Sequence, residues 1–431
     1  MNNRSVITLK SELDVFTLPP TQLAIEDSSL LEIHPISTIT DDTSPIEFYI
    51  EGNGQNYLDL SHTFLHIKAR IIKKNGTDLI ATDKVTTVNY PLNTCFSQCN
   101  IYLNDKQVSS QVNYAYRCIF ESLLFYNEKS QNTFLRAGLF FKDTVGQYEE
   151  TDPTKNNQAL NYRYKYTKDS KIFDLLGPLH IDLGNQDKLL VNGVSLRIKL
   201  ERSKDSFLLM STKDDYKFQI KQATLLMRKV EINASISIAH EKALDIGMMK
   251  YPIRKIDIKI FTLATGIQSS TISNAYIGNL PTRIIIAFVS NQSFNGNIMN
   301  NPFQFKNYDL NYICLIKENK MIPSKPYTPN FENDSFVRSY FTLFTELKSY
   351  YHENFPNVSY EEYKSGMTFF VFDLTPDYSA SETHMSVITS SNLSIDLKFS
   401  KPLPETVNVI AYSEQRNLIE IDKSRTVFTD F

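Results

Sequence analysis

The chain has 431 residues, 42% of them hydrophobic and 22% charged, with 28 Phe and 24 Tyr but no Trp. That length suits two domains, and that composition excludes an intrinsically disordered protein. The net charge is −3 and no run of Lys and Arg occurs, which argues against direct or sequence-specific binding of nucleic acid, whose affinity comes from neutralising phosphates.

Residues 1–40 read as an extended N-terminal arm. Within it "ELDVFTLPPTQLAIE" (12–26) is apolar without alternating, and Pro19-Pro20 holds part of it extended. No apolar core follows a basic head, so no signal peptide is expected. No stretch of ~20 apolar residues is present to span a membrane. Gly52-Asn53-Gly54 then separates the apolar run "IEFYI" from "YLDLSHTFLHIKARI". A phosphate-cradling loop needs a helix N-terminus directly behind its glycines, and strand follows here. The cluster is therefore expected to be the bend at which the first strand of a sandwich doubles back into the second.

Period-two alternation marks the strands. Leu65, Ile67, Ala69 and Ile71 share one face of "LHIKARI", and Val194, Leu196, Ile198 and Leu200 share one face of "VSLRIKL". Ile256, Ile258 and Ile260 repeat the pattern, as do Leu393, Ile395, Leu397 and Phe399. Such strands are antiparallel, with one face on a core. "RIIIAFV" (283–289) is apolar throughout and is expected to be covered on both sides. Two segments read as helices, with stripes Val112, Tyr116, Ile119, Phe120, Leu123 and Phe336, Tyr340, Leu343, Phe344, Leu347. Ser109-Ser110 and Asn333-Asp334 are their expected N-caps. The longest connections are expected at 144–170, 264–279 and 376–392.

The two halves repeat one order of signals. Each has a strand with a polar turn (99–108 and 312–322), then its helix, then Phe-Asp-Leu (173–175 and 372–374). Each ends with a matched pair of strands, "SLRIKL" (195–200) before one ending at Ile232, and "SIDLKF" (394–399) before one ending at Ile421. This order implies a duplicated all-β protein: an arm (1–40), a first sandwich (41–232), a link (233–251) with one short helical turn, and a second sandwich (252–431). Two eight-stranded antiparallel sandwiches in tandem, each with an inserted short helix, describe a double jelly roll.

Motifs for chemistry are sparse. His62 and His66 lie four apart on a strand, about 13 Å at ~3.3 Å per residue, too far to share a metal. Cys95 and Cys99 have no second pair to complete a zinc site, and with Cys118 they are expected to be buried, reduced thiols. No Gly-x-Ser-x-Gly, Gly-Lys-Ser/Thr or His-x-His occurs. The acidic stretches "DDTSPIE" (41–47) and "EETD" (149–152) read as solvated loops. No residue is assigned as catalytic, metal-binding or cofactor-binding, and no cofactor is expected. The alternative to a structural protein is a carbohydrate-binding double sandwich using Tyr-rich loops such as "NYRYKY" (161–166), although sugar sites commonly use Trp.

Several segments together carry a family likeness: "ELDVFTLPPTQLAIE", "YPIRKIDIKIFTL" (251–263), "FNGNIMNNPFQFKNYDLNYI" (294–313), "ENDSFVRSYFTLF" (332–344) and "FDLTPD" (372–377). In this order they resemble the major capsid protein of Polinton/Maverick elements and adintoviruses, over almost the entire chain. The resemblance implies the double jelly-roll, adenovirus hexon-like fold. It also implies pseudo-hexagonal homotrimers that tile an icosahedral shell around double-stranded DNA. The expected location is the virion, after synthesis in the host cytoplasm, with penton or minor capsid proteins as partners and an internal membrane as a further contact. Val15, Phe16, Leu18, Pro19, Pro20, Leu23 and Ile25 are the candidate assembly arm, expected to lie along a neighbouring subunit or the base of its own trimer.

Overall fold

The computed structural model describes residues 11–16, 18–39, 44–52, 54–347, 355–382 and 384–429. Sixteen of the strands among these residues build two β-sandwiches. In the first, the strands are β1 (Ile25–Ile33), β2 (Ile46–Ile50), β3 (Tyr57–Lys73), β4 (Phe96–Leu103), β5 (Lys106–Val112), β6 (Phe173–Pro178), β7 (Leu196–Arg202) and β8 (Tyr216–Ile232). They form two antiparallel sheets in the orders β1-β8-β3-β6 and β2-β7-β4-β5. The second has β9 (Met249–Leu263), β10 (Ser269–Asn279), β11 (Arg283–Ser290), β12 (Leu310–Lys317), β13 (Lys320–Tyr327), β14 (Phe370–Asp373), β15 (Ser390–Phe399) and β16 (Val407–Ile421). Its sheets run β9-β16-β11-β14 and β10-β15-β12-β13, so adding eight to every strand of the first sandwich gives the second. This is a double jelly roll.

The longest helices are α1 (Tyr114–Leu124), α2 (Gln158–Thr167), α3 (Ala234–Leu244) and α4 (Val337–Thr345). All five sequence correspondences fall on equivalent elements. The polar turns close the β4–β5 and β12–β13 hairpins, α1 and α4 follow those hairpins, and Phe-Asp-Leu lies in β6 and at the end of β14. Both hairpins turn through two residues with positive φ, Asn104-Asp105 and Glu318-Asn319, the geometry whose twist matches that of the flanking strands.

The alternating positions point inward. Leu65, Ile67, Ala69 and Ile71 are buried in β3, and Leu393, Ile395, Leu397 and Phe399 in β15. Every residue of β11 is buried. It lies between β16 and β14, and the outer face of that sheet is covered by the first roll, with Phe125 of the α1 C-cap beside Tyr412 and under Arg283.

The structure redraws several boundaries. Residues 25–33, inside the expected arm, form β1 and pair with β8 from Ile25↔Ile232 to Ile33↔Leu225. Their alternation is hidden because β1 is an edge strand, largely exposed on both faces. The expected connection at 264–279 holds β10, and that at 144–170 holds α2, capped by the Asn157 side chain. The link contains the three-turn α3, capped by Asn233, rather than a single turn. Ser109 and Ser110 remain in β5 and cap nothing; α1 starts from Asn113 in left-handed backbone, and α4 starts behind Phe336 without a side-chain cap. Part of the second predicted helical stretch, 348–351, lies outside the described residues.

Gly52 and Gly54 flank the crossing from β2 into β3, not from the first strand into the second, and β2 and β3 belong to different sheets. A Cβ on Gly52 would sit 2.3 Å from the Val194 carbonyl carbon, so the chain passes there only without a side chain. Asn53 lies outside the described residues.

Candidate assembly site

A sealed seam joins the two rolls, and α1 is its centre. All eleven residues of this helix are buried. On one side Tyr116 and Phe120 meet aromatic rings of the second roll: Tyr116 stacks on Phe294 at 5.5 Å, and Phe120 packs edge-on to Phe369 at 5.1 Å and Phe305 at 5.2 Å. Such pairs add roughly 0.5–1.5 kcal/mol each beyond area burial. On the other side Arg117 reaches Asp182 at 2.7 Å and Glu121 at 2.9 Å. Asp182 also accepts from Ser109, Gln111 and the Ile256 backbone N–H, while Gln111 donates to the Ile256 carbonyl. Glu121 accepts from Tyr412 and pairs with His180 at 2.6 Å. Ile256 and Tyr412 belong to the second roll, so this network spans the boundary.

A histidine, two carboxylates and an arginine together have the composition of a catalytic centre. Their surroundings give a different role. Arg117 and Asp182 expose no surface, and Glu121 and His180 expose 8% and 5%. Burial by itself raises the Glu121 pKa, but Arg117 and His180 outweigh it and hold that carboxyl at about 2. The same carboxylates drive the Arg117 pKa further up despite burial. The cluster is a buried, ion-paired brace between the two rolls. Sequence reading missed it; the signal was a charged pair four residues apart inside an otherwise apolar helix. Further bonds tie the rolls together, from Asn301 to Asp143, from Lys142 to Glu362 and from Asn104 to the Arg425 carbonyl.

The residues singled out for chemistry are dispersed. His62 bonds to Asp59 at 2.7 Å and His66 to Asp174 at 2.5 Å, so each ring has its own carboxylate. Among the described residues no three His, Cys, Asp or Glu side chains gather as a metal site requires. The four cysteines are buried thiols, and burial pushes Cys95 and Cys99 up to about 12. Glu47 pairs with Arg197, Glu149 with Lys306, Glu150 with Lys155 and Asp152 with Lys84, while Asp41 and Asp42 lie outside the described residues. The stretch "NYRYKY" is no loop: it forms most of α2, and Arg163 within it is buried against Asp143. Among the described residues no helix is long and apolar enough to cross a membrane.

What the structure does present is apolar surface near the N-terminus. Val15, Phe16, Leu18 and Leu23 are 72%, 97%, 92% and 74% exposed, and Pro19 and Pro20 are exposed between them. Ile25 alone of the candidate arm residues is drawn into the fold, where it opens β1. Beside the root of this arm is an open groove of about 790 Å³, bounded by α3, the end of β8 and the start of β9. Ile25, Ile232, Ile236, Leu244, Ile246 and Met248 give it an apolar surface. Its polar groups are Lys188 and Lys250, with His240 in a 2.9 Å hydrogen bond to Tyr57.

No family profile matches the chain. Over 96% of its length it is 24% identical to the uncharacterized protein F54H12.2 of Caenorhabditis elegans, 99% of which is covered. Its fold superposes on the electron cryo-microscopy structure of the Sputnik virophage with a TM-score of 0.68 at 14% identity, over 99% of this chain and 93% of that one. The mavirus major capsid protein matches with a TM-score of 0.56 at 12% identity, over 99% and 95% of the two chains. The Faustovirus major capsid protein matches at 0.57 and 8%, over 96% and 92%. The fold is that of double jelly-roll major capsid proteins.

Proposed function

We propose that this chain is a major capsid protein that self-assembles into pseudo-hexagonal homotrimers, which tile an icosahedral shell around double-stranded DNA. The observation that carries this reading is the internal repeat. Two rolls with the same strand order are locked side by side by a buried seam, so three chains around one axis present six similar units, the symmetry a hexagonal tile needs. A cyclic trimer closes through head-to-tail contacts, and obligate interfaces bury roughly 2,000–5,000 Å² or more. The low net charge of −3 limits repulsion between copies, and the exposed arm offers apolar surface for such contacts.

The same proposal places the protein in the virion, with penton or minor capsid proteins as additional partners. Assignment to the Polinton/Maverick and adintovirus lineage rests on the resemblance of the segments 12–26, 251–263, 294–313, 332–344 and 372–377. The test is the mass of the purified protein in solution with negative-stain imaging. The expected species has three times the mass of the 49.6 kDa chain and a hexagonal outline. A monomer that stays monomeric at high concentration and forms no particles would overturn the proposal.

A further inference from the structure

We infer that the apolar groove beside α3 is the receptor for the N-terminal arm of a second copy of this chain. The inference rests on the assembly reading above and names the contact through which copies engage.

Three observations converge. The first is shape and chemistry: the groove is apolar and open at about 790 Å³, and the arm supplies Leu13, Val15, Phe16, Leu18 and Leu23, each at least 64% exposed. The second is charge. From residue 11 to residue 24 the chain has Glu12 and Asp14 and no Lys or Arg, whereas the groove is lined by Lys188, His240 and Lys250, the last also 3.8 Å from Glu420. An arm with acidic residues among apolar ones matches an apolar trough with a basic rim. The third is connectivity. The arm leaves the fold at Ala24 and Ile25, which are themselves part of the groove wall, yet the exposed side chains of Leu13, Val15, Phe16, Leu18 and Leu23 do not line it. Ten residue steps, from Leu13 to Leu23, reach about 35 Å when extended, enough to leave one subunit and cross to the next. With Pro19-Pro20 keeping it stiff, an arm directed outward from each groove and into a neighbour's gives a reciprocal or cyclic exchange in which every arm and every groove is used once.

The experiment is a mixed-subunit cross-link. Leu18→Cys and Ile246→Cys chains with different tags are co-expressed, purified through both tags, oxidised and run on a non-reducing gel, and the same samples are imaged. The expected result is a disulfide-linked two-chain band that requires both variants. A double variant Leu18→Cys/Ile246→Cys that gives only a band at the position of a single chain would overturn the inference, because the arm would then be folding onto its own groove. Oligomers that form normally without any cross-link would also overturn it while leaving the capsid reading intact. Failure of oligomers to form in the unaltered chain would overturn both. Met248→Glu tests the groove independently of cysteine chemistry. Oligomer yield is expected to fall at least tenfold with thermal stability unchanged, and an unchanged yield would argue against the groove.

Discussion

Replacing Arg117 with Met isolates the energetic role of the seam. The side chain fits the same space, but the guanidinium that binds Asp182 at 2.7 Å and Glu121 at 2.9 Å is gone, and both carboxylates stay buried. Breaking a buried ion pair from one side costs about 3–5 kcal/mol. For a chain of 431 residues melting as one unit, roughly 2.1 cal/mol/K per residue gives about 1 °C per kcal/mol, so Tm should fall by roughly 3–6 °C. Because the network reaches the Ile256 backbone and Tyr412, both rolls should melt together, at one lowered temperature. Adding Glu121→Gln should recover at least about 1 kcal/mol, since one of the two orphaned charges is removed, although Glu121→Gln alone destabilises. The pH profile gives a second signature. Glu121 is held at about 2 against its usual 4.5, so its stabilisation is complete above about pH 4.5 and is lost as pH falls through about 2. That shift corresponds to roughly 3 kcal/mol. In Arg117→Met the carboxyl loses its main charge partner and its pKa rises towards or above the usual value, so the loss of stability on acidification should shrink or reverse. Calorimetry and urea melts between pH 7 and pH 3 measure both effects. A Tm change below about 2 °C, or an unaltered acid profile, would refute the brace.

Gly52→Ala should destabilise strongly, because the new methyl would overlap the Val194–Ser195 backbone, whereas Gly247→Ala, with nothing within 4 Å, should leave the melting curve in place. Phe120→Ala removes a fully buried ring that contacts Phe305, Phe369 and Tyr412, and should cost about 3–5 kcal/mol in urea unfolding. A thiol reagent at pH 8 should label none of the four cysteines in the native protein and all four in denaturant, since all are buried and Cys95 and Cys99 are pushed up to about 12. Removing residues 1–23 should leave the melting temperature of the rolls within about 2 °C, because the described side chains from residue 12 to residue 23 are exposed, yet reduce the yield of oligomers.

The duplicated jelly roll was legible because its signals are local. Alternation in β3, β7 and β15 and the order of hairpin, helix and Phe-Asp-Leu survive in both halves. The edges were not. β1 is largely exposed on both faces, so no burial constraint writes a period of two into its sequence, and the expected arm (1–40) ran past residue 25, where the fold begins. α2 escaped notice because "YRYKY" carries no apolar stripe; the helix is fixed by its Asn157 cap and by the Arg163–Asp143 pair instead. The seam was illegible for another reason. Asp182, Ile256 and Tyr412 are far apart in the chain, and only tertiary structure shows that a charged pair on α1 has partners in both rolls.

That separation sets a timetable for synthesis. Glu121 waits for Tyr412, 291 residues downstream. At about 5–20 residues per second, translation needs roughly 15–60 s to supply it. Throughout that interval α1 has a charged pair and the rings of Tyr116 and Phe120 without the second-roll surface that covers them in the finished protein. The nascent first roll therefore passes through a long-lived, sticky stage in which its inner wall faces the cell, and completion of the chain is what removes that wall from view.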